Sequence, residues 1–373
     1  MAEFYSNSIN RRKRGKKRSY SGKSIALFLL DIVATIAMLL LLFATITATI
    51  CQYISPEKSG VLSVISLGAP ILYLLDIVVM FYWVVRWRWY RATAMIVAVV
   101  LGLFYLSRYY KIEIDRKYDT SYRERLYTKV MSYNVHEGKA EGLVSYIEKH
   151  NPDILCLQEM SVVGDNWNAL AERYKTTYNP SESAGGNQIL SKYRIIRSGN
   201  IDGLDRRNGV WADLRVKDDT IRVVNLHLQS TSIRREDTNF LEEHKYIADK
   251  ERESKLRSIV GRLMENNRKR ALQAESVAKF LEGTTGTTIV CGDFNDVPLS
   301  YTYNIIADNL DDTFSKMADG FAYTYDTKYH LLRIDNILVS PSVEVVSYEV
   351  DNEVDFSDHY PVVSRIKLNS NNK

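Results

Sequence analysis

The 373-residue chain has little of what marks the specialised protein classes. Its three cysteines, Cys51, Cys156 and Cys291, are too few and too widely spaced for a disulfide framework or a CxxC metal site. Cys156 and Cys291 lie in apolar runs, where a buried core thiol is the ordinary interpretation. With 18 glycines, 7 prolines, 46% hydrophobic and 25% charged residues, the chain is neither collagen-like nor wholly disordered.

Several catalytic signatures are also missing. The sequence contains no HExxH zinc motif, no GxxxxGK[ST] phosphate-binding loop and no nucleophilic serine within GxSxG. These absences disfavour a zinc protease, a P-loop nucleotidase and an enzyme with a covalent acyl intermediate. A hydrolytic reaction in this chain is therefore expected to use activated water.

The net charge of +4 is unevenly distributed along the chain. Residues 1–23 carry a net charge of +7, residues 24–111 carry +3, and residues 112–373 carry −6. A domain that binds nucleic acid by neutralising phosphates usually has the opposite sign. The charge of the C-terminal part therefore favours other substrates, although a local basic cleft could outweigh it.

Three apolar runs predict a membrane region at residues 24–110, with helices at about 24–50, 60–85 and 92–110. A membrane-spanning helix needs about 20 apolar residues. The first two runs reach that length, and the third reaches it only if its terminal tyrosines lie among the lipid headgroups. The first run is too long for a cleaved signal peptide. We predict three transmembrane helices in a multi-pass protein of the bacterial inner (cytoplasmic) membrane.

The positions of the basic residues predict the orientation. The block at 1–23 and the arginines Arg86, Arg88 and Arg91 are expected on the cytoplasmic side, because positive charge is retained there. Three spans would then place the C-terminal part on the periplasmic or extracytoplasmic side. Arg108 and Lys111 contradict this pattern, since they follow the third run. If that run lay in the interface, the C-terminal part would be cytoplasmic.

Residues 129–373 alternate predicted strands and helices after a polar linker at 111–128, which predicts one α/β domain. The charged segment 230–275 is expected to be helical. It either borders a cleft or forms a solvated helix pair.

Polar residues of few types follow or interrupt the apolar strand runs of this domain. Ligands in α/β folds gather at strand ends, where loops expose polar groups on a rigid sheet. Carboxylate and amide oxygens suit Mg²⁺, which leaves room for a substrate phosphate. The pattern predicts one convergent site for metal-assisted attack at phosphorus. Its residues are Asn134, Glu159, His227, Asp293, Asn295, Asp335, Asp358 and His359.

Each of these residues has a structural alternative when taken singly. Asn134 could occupy a turn, Glu159 could be a solvated carboxylate, and His227 could be a packed core histidine. Asp335 is harder to explain away, because an unpaired buried carboxylate is costly. These residues occur in motifs that follow one another in a specific order, and that combination favours the functional interpretation over the structural alternatives.

The motifs SYNV, LQE, NLHL, GDFND, RIDNIL and SDHYP, across about 129–366, resemble the endonuclease/exonuclease/phosphatase superfamily. The resemblance covers the soluble domain and none of the membrane region. It implies a four-layer α/β sandwich in which two mainly antiparallel sheets pack face to face between outer helices. With the predicted spans, the chain looks like bacterial membrane-anchored members of the superfamily.

The resemblance also implies roles. Glu159 would be the principal Mg²⁺ ligand, assisted by Asn134 and Asp358, with Mn²⁺ as a possible substitute. Asp293 would orient or deprotonate the attacking water, and Asn295 would hold the water and a phosphoryl oxygen. His227 would donate to the phosphate and stabilise its developing charge. Asp335 would orient His359, which would contact the phosphate or act in proton transfer.

The resemblance makes Asn187 a further candidate for substrate binding, because several relatives place a polar cleft residue there. Together these features predict a membrane-anchored, Mg²⁺-dependent phosphoesterase acting on a phosphodiester or phosphomonoester such as a lipid headgroup. The alternative is a membrane-tethered endonuclease or exonuclease acting on DNA or RNA. A non-catalytic binding module is disfavoured because every catalytic motif is present, and no protein partner is implied.

Overall fold

Two six-stranded β-sheets and a group of N-terminal helices make up the computed structural model of the chain. It describes residues 22–111, 127–174, 176–178, 186–231, 237, 240, 249–327 and 330–368. Most of the predicted basic N-terminus and of the predicted linker, and part of the charged segment 230–275, lie outside these ranges.

The helices and strands follow one another as the alternating sequence pattern predicts, because apolar runs of strand length alternate with amphipathic segments. The helices are α1 (Gly22–Cys51), α2 (Gly60–Leu67), α3 (Ala69–Val85), α4 (Trp89–Leu106), α5 (Leu143–His150), α6 (Asp165–Arg173), α7 (Asp249–Glu282), α8 (Tyr301–Ile306) and α9 (Thr313–Met317). The strands are β1 (Tyr110–Lys111), β2 (Thr128–Glu137), β3 (Ile154–Met160), β4 (Thr176–Tyr178), β5 (Gly186–Ser191), β6 (Arg194–Asn200), β7 (Gly209–Val216), β8 (Asp219–His227), β9 (Thr288–Asp293), β10 (Asp311–Asp312), β11 (Gly320–Phe321), β12 (Asp335–Val339), β13 (Glu344–Val350) and β14 (Val362–Lys367).

The predicted four-layer α/β sandwich is confirmed. One sheet has the strand order β10-β12-β9-β8-β7-β6 and the other β13-β14-β2-β3-β5-β4. Neighbouring strands are antiparallel except for the parallel pairs β8–β9 and β2–β3. A shared core joins the inner faces of the sheets, while α5 and α6 cover the outer face of one sheet and α7 and α8 that of the other. The whole of β9 is buried because both of its faces are covered.

The three apolar runs of the N-terminal region are helical. Helix α1 is long and apolar enough to cross a membrane. The second run is divided by Gly68 into α2 and α3, which meet at a 65° bend and together could form one further span. Pro70, in the first turn of α3, accounts for the break, because proline cannot continue a preceding helix. The apolar part of α4 (Trp89–Leu103) is shorter than a span.

The helices of this region expose large apolar side chains outward and pair their polar ones inward. Leu40 is 65% exposed and Phe43 is 72% exposed. The Arg86 guanidinium pairs with the Asp31 carboxylate at 2.8 Å, which joins α3 to α1. A cluster of buried side chains, including Ala69, Tyr109 and Val297, joins the helices to the sandwich.

Candidate active site

The strand registers bring the predicted residues to one edge of the sandwich. Parallel pairing of β8 with β9 places His227 opposite Asp293. Antiparallel pairing of β12 with β9 places Asp335 opposite Asp293 as well. The second sheet adds its own strand ends, since the Asn134 amide nitrogen lies 3.2 Å from Oε1 of Glu159 and 3.2 Å from Oδ2 of Asp293. The site therefore forms where the two sheets meet.

Asp293 is the central group of the site. Its side chain is buried, its Oδ1 accepts a 2.7 Å hydrogen bond from the backbone N–H of Asn295, and its Oδ2 accepts from the Asn295 and Asn134 amides. The Nε2 atoms of His359 and His227 lie 3.7 Å and 3.8 Å from Oδ2. These contacts fix the carboxylate beside two imidazoles, where it can orient a water molecule.

His359 and Asp335 form a buried pair. Nδ1 of His359 lies 3.0 Å from Oδ2 of Asp335, so Nε2 is directed towards Asp293. Burial lowers the pKa of the imidazole, but the Asp335 and Asp293 carboxylates outweigh this and raise it to about 10. Burial raises the pKa of the Asp335 carboxyl to about 6. The raised pKa of His359 and its hydrogen bond to Asp335 favour an imidazolium at this position in the protein without bound metal.

Glu159 and Asp358 form the open side of the site. Their side chains are 32% and 48% exposed, whereas that of Asp293 is 1% exposed. Oε1 of Glu159 lies 3.4 Å from Nε2 of His227. His136 lies between the two carboxylates, with its Nδ1 3.6 Å from Oε2 of Glu159 and 3.9 Å from Oδ1 of Asp358. A ligand that enters from solvent meets these oxygens first.

Three site residues adopt left-handed backbone conformations. The φ angles are 57° at Glu159, 41° at His136 and 51° at Asn295. Such conformations cost a non-glycine residue of the order of 1–3 kcal/mol and cluster at functional sites. The three residues lie at or just beyond the ends of β2, β3 and β9, which border the site.

The oxygen donors of this edge fit a hard divalent cation. Asp293, Asp335 and His359 offer donor atoms that lie within 4.8 Å of one another. All three are buried, and Asp335 and His359 are already bonded to each other. The partly exposed oxygens of Glu159 and Asp358 are therefore the more accessible ligands. An oxygen-only set suits Mg²⁺ or Mn²⁺ better than a soft metal.

Sequence reasoning missed His136 and Asn208. His136 follows Asn134 by two residues, so the polar end of β2 was the signal that could have identified it. The side-chain amide of Asn208 donates to the backbone carbonyl of His227 at 2.9 Å, and the backbone carbonyl of Asn208 accepts from the His227 backbone N–H. This pair of bonds holds the end of β8, and the sequence gives no sign of it.

Arg270 is a third missed residue, fully buried on α7. Its Nη1 lies 3.2 Å from Oδ2 of Asp296, and its Nε donates to the backbone carbonyl of Gln229. Gln273, one turn further along, accepts from the backbone N–H of Gln229. Helix α7 thus supports the segment after β8 and the segment after β9 together.

Asn187 is not joined to the other predicted residues by the contacts of the described chain. It is fully buried in β5, and its amide donates to the backbone carbonyl of Asn225 at 3.4 Å. Asn225 precedes His227 by two residues. A part in substrate binding for Asn187 therefore stays a prediction.

An open cleft of about 510 Å³ extends from the site. Arg207 provides a basic side chain on its wall and pairs with Asp205 at 3.2 Å. The residues that line the cleft are Glu137, Glu159, Asp205, Arg207, Asn208, His227, Leu228, Gln229 and Ser230.

Comparison with known proteins identifies two parts of the chain. A family model described as the endonuclease/exonuclease/phosphatase family matches residues 131–359, and a model described as a domain of unknown function matches residues 27–109. No curated protein matches the chain significantly.

Solved structures resemble 64–65% of the chain at low identity. One is an endonuclease/exonuclease/phosphatase from Beutenbergia cavernae (20% identity, 65% of this chain and 72% of that chain, TM-score 0.46). Another is the 3′ phosphatase NExo from Neisseria bound to a product DNA hairpin (19%, 64% and 98%, TM-score 0.48). A third is D. rerio TDP2 in complex with a single-strand DNA product (14%, 65% and 99%, TM-score 0.47).

Proposed function

The chain belongs to the endonuclease/exonuclease/phosphatase family of metal-dependent phosphoester hydrolases, and we propose that it is a membrane-anchored, Mg²⁺-dependent phosphoesterase. Its reaction would be hydrolysis of a phosphodiester or phosphomonoester by activated water. One observation carries this proposal: Asn134, Glu159, His227 and Asp293 come from four strands and meet within hydrogen-bonding or ion-pair distance.

Glu159 would hold the metal, with Asn134 and Asp358 directly or through water. When bound, the cation would neutralise negative charge on the phosphate and polarise it towards attack. The Asn134 amide nitrogen donates to both Glu159 and Asp293 and so links the two carboxylates, whereas a cation would be held by its Oδ1. Glu159 remains partly open to solvent, as a ligand that must admit metal and substrate should.

Asp293 would orient the attacking water and accept its proton. Its Oδ1 is bonded to the backbone N–H of Asn295, and the Asn295 amide is held by the backbone carbonyl of Leu228 and by Asp293. This network leaves the carboxylate with a single orientation. Positioned proton transfer of this kind contributes about 10²–10⁴-fold in rate.

His359 and His227 would donate hydrogen bonds to the phosphoryl oxygens. The carboxylate of Asp335 keeps His359 oriented and protonated, so that Nε2 carries a proton towards Asp293 and the substrate. Donors fixed in this way stabilise charge that develops in the transition state. Arg207, on the wall of the cleft, would contact a second anionic group of the substrate.

The helical region supports anchoring in the bacterial inner membrane. The C-terminal end of α1 and the start of α3 contact the catalytic domain through Cys51 and Ala69, and Leu106 does so at the end of α4. Asp31 and Arg86 lie at the opposite end of the bundle. If α1, the bent pair of α2 and α3, and the shorter α4 each cross the membrane, this up-down-up arrangement would place the catalytic domain on the periplasmic side. A substrate at the membrane surface, such as a lipid headgroup, would then be close to the site.

A nuclease is the second candidate function. The cleft is open and Arg207 is 66% exposed on its wall, so a single strand of DNA or RNA could present its backbone phosphate there. The net charge of −6 on residues 112–373 argues against long nucleic acids.

The test is a metal-dependent screen of the full chain in detergent or nanodiscs. Bis-p-nitrophenyl phosphate, phospholipid and sphingomyelin vesicles, inositol phosphates, single- and double-stranded DNA, and RNA are compared with Mg²⁺, Mn²⁺ and EDTA. We expect metal-dependent hydrolysis that Asp293→Asn lowers by about 10²–10⁴-fold, with turnover highest on a lipid substrate. Undiminished hydrolysis in EDTA would contradict the proposed mechanism, and a preference for nucleic acid would select the second candidate.

The membrane topology is tested separately. Alkaline phosphatase and green fluorescent protein are each fused after Lys373 of the full chain. We expect an active phosphatase fusion and a dark fluorescent fusion, because the phosphatase folds outside the cytoplasm. The reverse pattern would place the catalytic domain in the cytoplasm.

A further inference from the structure

The chain that follows the last helix of the N-terminal region enters the interior of the catalytic domain. Tyr109, three residues after the end of α4, is fully buried. It packs in one apolar cluster with Val297, Leu299 and Ile334, to which α1 and α3 contribute Ala48 and Ala69. The helices and the sandwich therefore share a core, and two of the segments in that core carry catalytic residues. One runs from Asp293 to Leu299, and we call it the catalytic segment.

Arg108 connects the helices to the catalytic segment through a polar contact. Its Nη1 donates to the backbone carbonyl of Pro298 at 2.9 Å and lies 3.2 Å from Oε1 of Gln52, a buried residue just after α1. The backbone carbonyl of Arg108 in turn accepts from Nη2 of Arg333 at 3.1 Å. Arg333 is fully buried, two residues before Asp335. Arg108 thus contacts both polypeptide segments that carry the central carboxylates.

The catalytic segment is held from two sides. Within the catalytic domain, Arg270 of α7 pairs with Asp296. From the helical region, Arg108 binds the carbonyl of Pro298, and the Cys51 thiol approaches the carbonyl of Leu299 at 3.9 Å. Asn295, in its left-handed conformation, lies between Asp293, the last residue of β9, and these supports. A segment with a strained residue needs support at both ends to keep one geometry.

We propose that Arg108 is a positioning residue, through which the docked helical region holds Asp293 and Asn295 in their productive geometry. This rests on the proposed function only in assigning the chemistry to Asp293. A misplacement of about 1 Å in a catalytic group can cost about 10²-fold in rate. The contact also explains why a basic residue follows the third apolar run, where the charge rule for membrane proteins disfavours it.

The experiment uses the full chain in nanodiscs and compares Arg108→Ala, Arg108→Lys and Arg268→Ala. Arg268 is the matched control: it is a 58% exposed arginine that pairs with Glu57 at 3.8 Å across the same interface, without touching the catalytic segment. The first measurement is amide hydrogen exchange, which does not depend on activity. The Phe294, Asn295 and Val297 backbone N–H groups are all hydrogen-bonded and should exchange slowly in the wild type.

We expect Arg108→Ala to speed exchange of peptides covering 293–299 by about tenfold or more, since their opening free energy falls, while peptides covering β3 are unchanged. On bis-p-nitrophenyl phosphate, kcat should fall by about 10–100-fold, with KM and the half-saturating Mg²⁺ concentration within about twofold. Arg108→Lys should recover part of kcat, because its ammonium can still donate to Pro298. Arg268→Ala should match the wild type.

Unchanged exchange across 293–299 in Arg108→Ala would overturn the proposal, and so would an equal effect of Arg268→Ala. Should Arg108→Ala fail to fold, Arg108→Met takes its place, because it keeps the aliphatic part of the side chain but cannot donate to Pro298. Wild-type exchange in that variant would equally overturn the proposal. If the wild type shows no metal-dependent hydrolysis, the proposed function fails, while the exchange measurement still decides the role of Arg108.

Discussion

The helical region and the catalytic domain both bury ionisable side chains, but they arrange them differently. In the helical region Asp31 is neutralised by Arg86, and Asp76 accepts a 2.6 Å hydrogen bond from Thr45 on a neighbouring helix. In the catalytic domain Asp293 and Asp335 are buried close together beside His359. Pairs hold elements together, whereas a cluster of like charges costs stability and is kept for chemistry.

Asp293→Asn should have the largest effect and would separate the two kinds of buried carboxylate most clearly. The variant keeps the shape of the side chain but loses the charge that accepts a proton from water. We expect kcat to fall by about 10²–10⁴-fold without rescue by excess metal. Steady-state kinetics against Mg²⁺ concentration measures this.

The matched control for that variant is Asp213→Asn. Asp213 is also buried in the sandwich, but it pairs with Arg222 at 2.8 Å and with Arg197 at 2.7 Å, away from the site. Asp213→Asn should lower the melting temperature and leave kcat per folded molecule unchanged. Wild-type turnover in Asp293→Asn would mean that the reaction happens elsewhere.

The pair of Asp335 and His359 should behave as one unit. His359→Ala and Asp335→Asn are each expected to lower kcat by about 10²-fold or more, and the double variant should be little worse than either one. The physical reason is that Asp335 acts only through the imidazole that it orients. A double-mutant cycle on kcat measures this, and additive losses would show that the two residues act independently.

Glu159→Gln should have a smaller effect at high metal concentration. The substitution removes one charge from the accessible ligand set, so the half-saturating Mg²⁺ concentration should rise while kcat at saturation recovers in part. Activity titrated with Mg²⁺ and isothermal titration of Mn²⁺ binding both report this change. An unshifted metal requirement would remove Glu159 from the ligand set.

The stability of the metal-free catalytic domain should fall with rising pH. The pKa of His359 is raised to about 10 in the folded protein, from about 6.5 when unfolded. The stabilisation by the imidazolium is therefore complete below about pH 6.5 and is lost as the pH rises through about 10. Thermal unfolding of the full chain in EDTA between pH 6.5 and 10 measures it. His359→Ala should flatten the profile, and an unchanged slope in that variant would contradict the assignment.

Asp76→Asn should have the smallest effect and would test whether the buried carboxylates of the helical region are structural. The amide oxygen can still accept from Thr45, so the contact between α1 and α3 persists. Hydrogen bonds between membrane helices are worth about 0.6 kcal/mol on average, so we expect a small shift in melting temperature and kcat within twofold of the wild type. A collapse of turnover would instead assign Asp76 a functional part.

Much of the site was predictable from the sequence because its residues interrupt apolar strands. His227, Asp293 and Asp335 stand at strand ends, where burial of a polar group needs a reason. The pairing of the strands that carry them followed from the fold that the order of the motifs indicated. Asn187 was inferred from the family resemblance alone, and its hydrogen bond in the described chain goes to the backbone of Asn225 instead of to the site.

The sequence by itself determined the apolar helices of the N-terminal region, the α/β class of the C-terminal part and the residue types that suit phosphoester hydrolysis. These depend on periodicity and composition, which are local. Only the tertiary structure decided that Arg108 reaches Pro298, that Arg270 supports Asp296 and that His136 lies between Glu159 and Asp358. Arg108 and Pro298 are 190 residues apart. Contacts of that kind depend on how the helices and both sheets pack, which no local pattern encodes.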